Sequence, residues 1–362
     1  MSCWQSLPKV ELHVHLDCAL SFESVARLAP GFERAGYEAA FSAPELCRDL
    51  PELIAPAVRA VALLQDEAAL RLAVRDLAAQ LAADHVVYAE VRFAPLLHLE
   101  RGLSPDEVVA IVGDELRAAA GAHGIEARLL LCALRHFSPG ESLATAELAA
   151  RHVASGVVGL DLAGDEGGHP LDAHVAAFAF ARERGLPCTA HAGEGAGPGS
   201  VADTLERLRP ARIGHGVRSV EDAGVIARLV ERGVHLEVCP TSNVQIGLYP
   251  DVAAHPLAAL RAQGVSVGVN TDGRTLSRLT LSREYERVAA AYGWTARDFE
   301  ACNLAALEAA FAPPEVVERA RRRLLADAAA PDAAAPRAAT PAAADPKAAD
   351  PEAADPKTAR PA

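Results

Sequence analysis

Histidine and acidic residues in four short segments have the types and spacing of a metal site that activates water. The segments are ELHVHLD, TAHAGEG, IGHG and VNTDG, and the residues concerned are His13, His15, His191, Glu194, His215 and Asp272. The histidines at positions 13 and 15 would share one face of an extended strand. Three imidazoles and a carboxylate form a donor set that suits Zn²⁺. Such an ion lowers the pKa of a bound water molecule towards neutrality.

The other polar groups have chemical roles beside such an ion. Asp272 is able to ligate the metal and also to accept the proton of the water, which His215 would orient. Glu194 lies three residues after His191 and is placed to act as a general acid/base. Taken singly, these residues have simpler explanations, because Asp272 could cap a helix and Glu194 could stabilise a helix N-terminus. The simpler explanations do not account for their joint occurrence at the ends of predicted strands.

Eight short runs rich in Val, Leu and Ile predict the strands that position these residues. They cover residues 10–15, 86–93, 128–135, 157–162, 187–191, 212–215, 235–239 and 265–271. The segments between them are long enough for the crossover helices that parallel strands require. Eight such units predict a closed α/β fold, the (β/α)8 TIM barrel. In this fold the C-terminal strand ends form one rim, so the six residues would converge there.

Two further regions complete the predicted organisation. About 70 residues separate the first two strands, and helices are predicted there over residues 22–29, 44–50, 53–64 and 67–83. This helical insertion after strand 1 would serve as a lid over the barrel mouth. Residues 328–362 are rich in Ala and Pro and contain no large apolar side chain. They predict a disordered tail after a barrel domain of residues 1–327.

Composition restricts the partners and the compartment. The net charge of −13 disfavours nucleic acid and anionic membrane surfaces as partners. The seven cysteines are widely spaced and form no C-x-x-C pair, which favours reduced thiols over a disulfide framework. No apolar run is long enough to span a bilayer. We therefore expect a soluble, cytoplasmic protein with no membrane partner.

The chain resembles the adenosine deaminase family over most of residues 8–311. Six segments are similar to family motifs and follow in the family's order: PKVELHVHLD, VVGLDLAGDE, HAGEG, RIGHGVRSVED, LEVCPTSN and VNTDG. The resemblance implies one Zn²⁺ per chain and a small purine nucleoside as substrate. The implied reaction is hydrolytic deamination of adenosine, and of 2′-deoxyadenosine, to inosine with release of ammonia.

The same resemblance implies a role for each site residue. The implied zinc ligands are His13, His15, His191 and Asp272. Glu194 would protonate the purine nitrogen N1, and His215 would assist the attacking hydroxide. Gly164 would offer its backbone N–H to N3, where a side chain would block approach. Asp17 would face a ribose hydroxyl, and His15 and Gly273 would also border the substrate.

Two positions depart from the family pattern and leave the substrate open. Cys18 stands where the family usually has Gly, next to the sugar site. Gly273 stands where the family usually has Asp or Asn, which hydrogen-bonds N7 of the purine. The loss of this contact should weaken recognition by about 1–3 kcal/mol. Adenine and aminofutalosine are therefore alternative substrates, and Gly273→Asp would be expected to raise kcat/KM for adenosine.

Three other classes of protein fit the sequence less well. A binuclear amidohydrolase often bridges its metals with a carboxylated lysine on strand four, but the only lysines are Lys9, Lys347 and Lys357. The deaminase class with H-x-E and P-C-x-x-C zinc ligation is disfavoured because the spacing here is H-x-x-E and the cysteine pair is missing. A catalytically dead barrel acting as a binding protein would have lost at least one ligand or the acid.

Overall fold

Eight parallel strands form the centre of the computed structural model, which describes residues 3–328. The strands are β1 Lys9–His15, β2 Val86–Phe93, β3 Glu126–Leu134, β4 Val157–Ala163, β5 Thr189–Ala192, β6 Arg212–His215, β7 His235–Val238 and β8 Ser266–Val269. They pair in sequence order from β1 to β4 and from β5 to β8. Parallel bridges from Leu160 to Cys188 and from Val14 to Asp272 join the two groups on both sides. The chain is thus the predicted (β/α)8 barrel, and every predicted strand overlaps an observed one.

The first helices form the insertion that covers the barrel mouth. After α1, Cys3–Ser6, and strand β1, the chain forms α2 Phe22–Leu28, α3 Arg34–Phe41, α4 Leu50–Ile54, α5 Ala57–Leu63 and α6 Glu67–Ala83. Serine and aspartate residues begin several of these helices. The Ser21 side chain accepts a hydrogen bond from the Ser24 amide at the start of α2, and the Asp66 side chain accepts one from the Ala69 amide at the start of α6.

Part of the insertion differs from the sequence prediction. The predicted helix over residues 44–50 is absent, since residues 44–49 are not helical and Leu50 begins α4. The backbone of this segment bonds to the barrel loops instead: the Cys47 amide donates to Gln245 O at 2.7 Å. The Ala43 amide likewise donates to Leu276 O at 3.0 Å. The predicted helix over residues 53–64 is divided into α4 and α5 at Pro56, which has no amide proton to donate. The sequence did not predict α3.

The remaining helices surround the barrel and pack their apolar faces on the strands. They are α7 Pro105–Ala122, α8 Pro139–Arg151, α9 Val175–Glu183, α10 Pro198–Arg207, α11 Ala223–Arg232, α12 Pro240–Gln245, α13 Leu257–Ala262, α14 Leu281–Tyr292, α15 Ala296–Ala309 and α16 Pro314–Ala328. Helices α7 and α8 begin with capping boxes, in which Ser104 pairs with Glu107 and Ser138 pairs with Glu141. Each capping box satisfies two backbone amides at the start of its helix.

Two further predictions from the sequence concern membrane-spanning helices and the C-terminal tail. No helix within residues 3–328 combines the length and apolarity that crossing a bilayer would require. Helix α16 continues to Ala328. The Ala/Pro-rich tail from residue 329 onward lies outside the described residues, so the division between residues 1–327 and 328–362 stays a prediction.

Charged side chains fill the barrel interior below the C-terminal rim. Arg92 and Arg212 are fully buried, as are the carboxylates that they contact. Arg92 donates to Asp161 at 3.0 Å and to Glu237 at 2.6 Å, and Arg212 donates to Glu237 at 2.7 Å. Arg212 also pairs with Glu90. Buried charges of this kind are tolerated because each has opposite-charge, hydrogen-bonding partners.

We predict that Arg92→Ala lowers the free energy of unfolding by about 3–5 kcal/mol, because Asp161 and Glu237 would remain buried without this cation. Urea denaturation followed by circular dichroism measures this change. Arg117→Ala is the matched control: Arg117 pairs with Asp114, and both side chains are 59% exposed, so we expect a change within about 0.5 kcal/mol. Equal effects of the two substitutions would contradict the structural role given to the buried network.

Candidate metal centre and active site

The C-terminal strand ends bring the predicted site residues together. The β1 residues His13 and His15, together with His191 of β5, face Asp272, which follows β8. His15 Nε2 lies 3.3 Å from His191 Nε2, and the Nε2 atoms of His13 and His15 are each 3.4 Å from Asp272 Oδ1. His215 joins this group, since possible ligand atoms of His13, His191, His215 and Asp272 all lie within 4.8 Å of one another. This group of four contains His215 and not the predicted ligand His15, but His15 Nε2 contacts His191 and Asp272, so the site has five candidate donors.

Backbone hydrogen bonds hold Asp272 between the two histidines of β1. The Asp272 amide donates to His13 O at 2.9 Å, and the His15 amide donates to Asp272 O at 3.1 Å. Asp272 and His215 both have positive φ values, 64° and 61°, which are uncommon for residues other than glycine. Such strain costs about 1–3 kcal/mol per residue and is often found at functional sites.

Hydrogen bonds on the outer sides of the donors leave their inner atoms available to a cation. His13 Nδ1 lies 3.0 Å from Glu237 Oε2, while His13 Nε2 is buried and has no hydrogen-bond partner among the described residues. His191 Nδ1 donates to Leu162 O at 3.0 Å, so its lone pair is on Nε2. Ser242 Oγ donates to Asp272 Oδ2 at 2.8 Å. Imidazole and carboxylate groups held this way fit a divalent metal ion.

A chain of hydrogen bonds sets the proton position on His215 and separates it from the other donors. The Leu257 amide donates to His255 Nδ1 at 3.2 Å, so His255 carries its proton on Nε2 and donates to Asn243 Oδ1 at 3.1 Å. The Asn243 Nδ2 group then donates to His215 Nδ1 at 3.2 Å. A neutral His215 therefore has its proton on Nε2, 3.3 Å from Glu194 Oε2. A protonated nitrogen cannot ligate a metal, which favours His15 as the third imidazole ligand.

A cavity of about 710 Å³ opens above this cluster. Its polar lining includes Asp17, Gly164, Glu194 and, of the metal-site residues, His15, His191, His215 and Asp272. Its outer part is lined by apolar side chains of α4, α5 and the β2 loop. The Gly164 backbone has a φ of 98°, a conformation that favours glycine. Cys18 also lines the cavity, and its Sγ lies 3.7 Å from Asp17 Oδ1. The residues predicted to contact the substrate thus lie around one cavity, with the exception of Gly273.

Gly273 is covered by Leu276, which lines the cavity in its place. A Cβ atom added at Gly273 would lie 2.9 Å from Leu276 Cδ1 and 3.1 Å from Leu276 Cβ. Gly273→Asp would therefore collide with a neighbour held close to the backbone. The simple gain in activity expected from the sequence does not follow, because Leu276 occupies the required space.

Comparisons with known proteins identify the family of the chain. The family model described as adenosine deaminase matches residues 8–327. This chain belongs to the adenosine deaminase family. An adenine deaminase of Agrobacterium fabrum is 42% identical over 247 residues, covering 68% of this chain and 75% of that protein. An adenosine deaminase of Lacticaseibacillus casei is 35% identical over 329 residues, covering 89% and 97%.

A solved structure extends the comparison to the metal. A cog1816 amidohydrolase from Burkhoderia ambifaria, crystallised with bound Zn, has a TM-score of 0.81 and 27% sequence identity, covering 90% of this chain and 91% of the other. The chain is thus a hydrolytic deaminase of a metal-dependent family, and it acts on a C–N bond of an adenosine- or adenine-type substrate. Which of these substrates it takes is a finer question.

Burial sets the protonation of the two groups beside the metal-site residues in this deaminase. It raises the pKa of Glu194 well above its ordinary value, and the nearby carboxylates of Asp272 and Glu166 raise it further. Burial lowers the pKa of His215 well below its ordinary value. Burial therefore favours the protonated form of Glu194 and the neutral form of His215.

Glu166 supports the active-site loop, a role that the sequence analysis missed. Its carboxylate accepts backbone N–H groups of Gly193, Glu194 and Ala196 at 2.7, 3.0 and 3.0 Å. These bonds fix the turn that carries Glu194. Glu166 lies within the motif DLAGDE, so the motif pointed to the residue, but no local pattern shows that its partners lie about 30 positions away.

We predict that Asn243→Asp lowers kcat by about 100-fold or more while the metal content stays unchanged. The carboxylate would accept a proton from His215 Nδ1 and so remove it from Nε2, where general acid–base assistance is needed. Steady-state kinetics and metal analysis of the purified protein measure both effects.

His255→Gln is the matched control for this change, because its amide can still donate to Asn243 Oδ1. We expect it to keep most of the activity. Full turnover by Asn243→Asp would contradict the proton position given to His215. Joint loss of metal and turnover would show instead that Asn243 holds the site together.

Proposed function

We propose that this deaminase hydrolyses adenosine, and 2′-deoxyadenosine, to the corresponding inosine and ammonia, using one Zn²⁺ per chain. The main observation in support is that Glu194 Oε2 lies 3.3 Å from His215 Nε2. This pair lies beside a cluster of possible metal ligands at the base of one cavity. One group is a buried acid and the other a neutral imidazole, as addition of water to a protonated ring requires.

Four residues would hold the ion: His13, His15, His191 and Asp272. Hydrogen bonds hold the outer atoms of His13, His191 and Asp272, and His15 Nε2 lies 3.3 Å from His191 Nε2 and 3.4 Å from Asp272 Oδ1. Zn²⁺ bound there supplies a water nucleophile near neutral pH. Of the five donors, His215 is excluded by its proton on Nε2 and remains available for the chemical step.

The chain's own residues then move the protons. Glu194 donates its proton to N1 of the purine, which makes the adjacent C6 more electrophilic. The His215 Nε2–H group donates a hydrogen bond to the oxygen that adds to C6. Asp272 takes the proton released from the water and returns it to the amino group. The C6–N bond then breaks and ammonia leaves. The hydroxyl on C6 becomes the carbonyl of inosine, and its proton, the second from the water, returns to Glu194.

Two further groups orient the substrate. The Gly164 backbone N–H would donate to N3, and Asp17 would accept a ribose hydroxyl, since both residues line the cavity. The apolar side chains of α4 and α5 would cover the nucleoside and exclude water. These contacts favour a nucleoside, because a free base would leave the outer part of the cavity unfilled.

The charge of the cavity disfavours nucleotides. Apart from the groups assigned to metal binding and proton transfer, the lining includes the acidic residues Asp17, Glu100 and Asp165, and no lysine or arginine within residues 3–328 lines this cavity. A 5′-phosphate would therefore meet acidic groups without the lysine or arginine partner that phosphate sites commonly use. Adenine is the second candidate, because the Agrobacterium relative at 42% identity is an adenine deaminase.

A substrate panel tests this proposal. Adenosine, 2′-deoxyadenosine, adenine and AMP are compared by ammonia release with the metal-loaded enzyme. We expect kcat/KM for the two nucleosides to exceed the values for adenine and AMP by about tenfold or more, the effect of one or two good contacts. A preference for adenine would replace adenosine with the second candidate, and no ammonia from any compound would refute the proposed function.

We predict that Glu194→Gln lowers kcat by about 100- to 10,000-fold with metal content unchanged, since it removes a proton donor and not a ligand. Glu100→Gln is the matched control because Glu100 lines the same cavity at its exposed rim. That substitution makes the same change of carboxyl to carboxamide away from the metal-type donors, and we expect kcat within about threefold of the wild-type value. Wild-type turnover by Glu194→Gln would remove this residue from the mechanism.

A further inference from the structure

The wall of the cavity opposite Glu194 is formed by the segments after β8 and β1. Glu194 and Gly164 follow β5 and β4, whereas Leu276 follows β8 and Cys18 follows β1. In a barrel of eight strands, the β4–β5 side lies across the mouth from the β8–β1 side. A substrate held by Glu194 and Gly164 therefore presents its far edge to Leu276.

Purine chemistry identifies that far edge, given the proposed function on which this step rests. N1 and N3 lie on one side of the bicyclic ring, and N7 lies on the other side, beyond C5. If N1 faces Glu194 and N3 faces Gly164, then N7 points towards the β8–β1 wall. The groups on this wall decide whether N7 finds a hydrogen-bond donor.

Leu276 makes the wall apolar where it meets the ring. Its side chain is 5% exposed and covers Gly273, as its 2.9 Å approach to an added Cβ shows. The neighbouring residues prevent it from turning away. Thr275 donates to Cys18 O and to Leu20 O, both at 2.8 Å.

The segment is also fixed on its other side. Ser277 Oγ donates to Gln245 Oε1 at 2.8 Å, and Leu276 O accepts the Ala43 amide at 3.0 Å. Leu276 is thus held between anchored neighbours from both the barrel and the insertion.

The polar side chains near this wall are poorly suited to bind N7. The Cys18 thiol donates to Asp17 Oδ1 at 3.7 Å. Asp17 is assigned to a ribose hydroxyl and Asp272 to the ion, and Asp272 Oδ2 already accepts a hydrogen bond from Ser242, so neither side chain is placed to donate to N7. Binding a purine here would remove water from N7 without a replacement donor, which costs free energy.

We propose that the cavity does not recognise N7, and that its substrates extend to 6-amino nucleosides with carbon at that position, the 7-deazapurine nucleosides. Leu276 is the residue that sets this selectivity. A carbon at position 7 needs no hydrogen-bond partner, so Leu276 is its natural neighbour. The deaminase would therefore accept carbon in place of N7, whereas a wall with a hydrogen-bond donor would bind the 7-deaza compound more weakly.

The test compares adenosine with two analogues that lack N7, namely 7-deazaadenosine and 8-aza-7-deazaadenosine. The second restores a nitrogen elsewhere in the five-membered ring, so a purely electronic effect on C6 would separate the two analogues. We expect kcat/KM for the better analogue to lie within about threefold of the adenosine value, because no hydrogen bond to N7 is lost. A preference for adenosine over both analogues by about thirtyfold or more would overturn the proposal.

A variant pair provides an internal control that cancels the reactivity of each compound. Leu276→Ala removes the apolar contact, and the double variant Gly273→Asn with Leu276→Ala adds an amide donor in the space created. We expect the ratio of adenosine to 7-deazaadenosine kcat/KM to rise about tenfold in the double variant relative to Leu276→Ala. An equal ratio in these two folded variants would contradict the position given to N7.

Failure of this inference and failure of the proposed function give different results. If adenosine is deaminated and both analogues are rejected, only the inference about N7 is overturned. If adenine proves to be the substrate, the same comparison is made with 7-deazaadenine. The wild-type ratios are informative even if the double variant does not fold, because they need no substitution.

Discussion

Closure of the barrel between β8 and β1 is the constraint on which the site depends. Two backbone hydrogen bonds place Asp272 between His13 and His15, with the Asp272 amide bound to one residue and its carbonyl to the other. The same contact completes the ring of strands, since Val14 and Asp272 form the bridge between the two sheets. The geometry of the metal donors is therefore part of the fold and not an addition to it.

A buried carboxylate connects this geometry to the core below. Glu237 contacts His13 Nδ1 at 3.0 Å, accepts from Arg92 at 2.6 Å and from Arg212 at 2.7 Å, and accepts from Thr189 at 3.1 Å. With so many partners, Glu237 has little freedom to rotate, and the ring of His13 is held accordingly. The two arginines also hold the pKa of Glu237 well below its ordinary value against the effect of burial. The network therefore remains charged at neutral pH.

The sequence predicted the repeated strands and the site residues of distinctive chemical type. Strand positions followed from apolar runs, and His13 or Asp272 stood out because they end such runs. The insertion was predicted less well, since residues 44–50 are shaped by bonds to distant loops and Pro56 divides one predicted helix. Local preference has little weight where tertiary partners satisfy the backbone.

Residues that act through other residues could not be predicted from the sequence, for a related reason. Asn243 and His255 matter only because of the atoms that they contact, and nothing in their neighbours' types indicates those contacts. Leu276 is similar, because the missing side chain at Gly273 was visible in the sequence but the residue that fills its space was not. A polar side chain missing from a family motif indicates a changed contact, and only the packing shows which residue fills the space.

In the proposed mechanism, four of the five candidate donors bind the ion and His215 does not, and the hydrogen-bond chain to His215 explains this difference. All the histidines of the cluster have the same side-chain chemistry, so identity alone cannot distinguish a ligand from a proton donor. His191 has its proton on Nδ1 because Leu162 O accepts it, whereas His215 has its proton on Nε2 because Asn243 donates to Nδ1. An acceptor behind His191 and a donor behind His215 thus leave different groups on the inner sides of the two imidazoles. The proposed division between metal binding and proton donation would therefore be set by the residues behind the histidines.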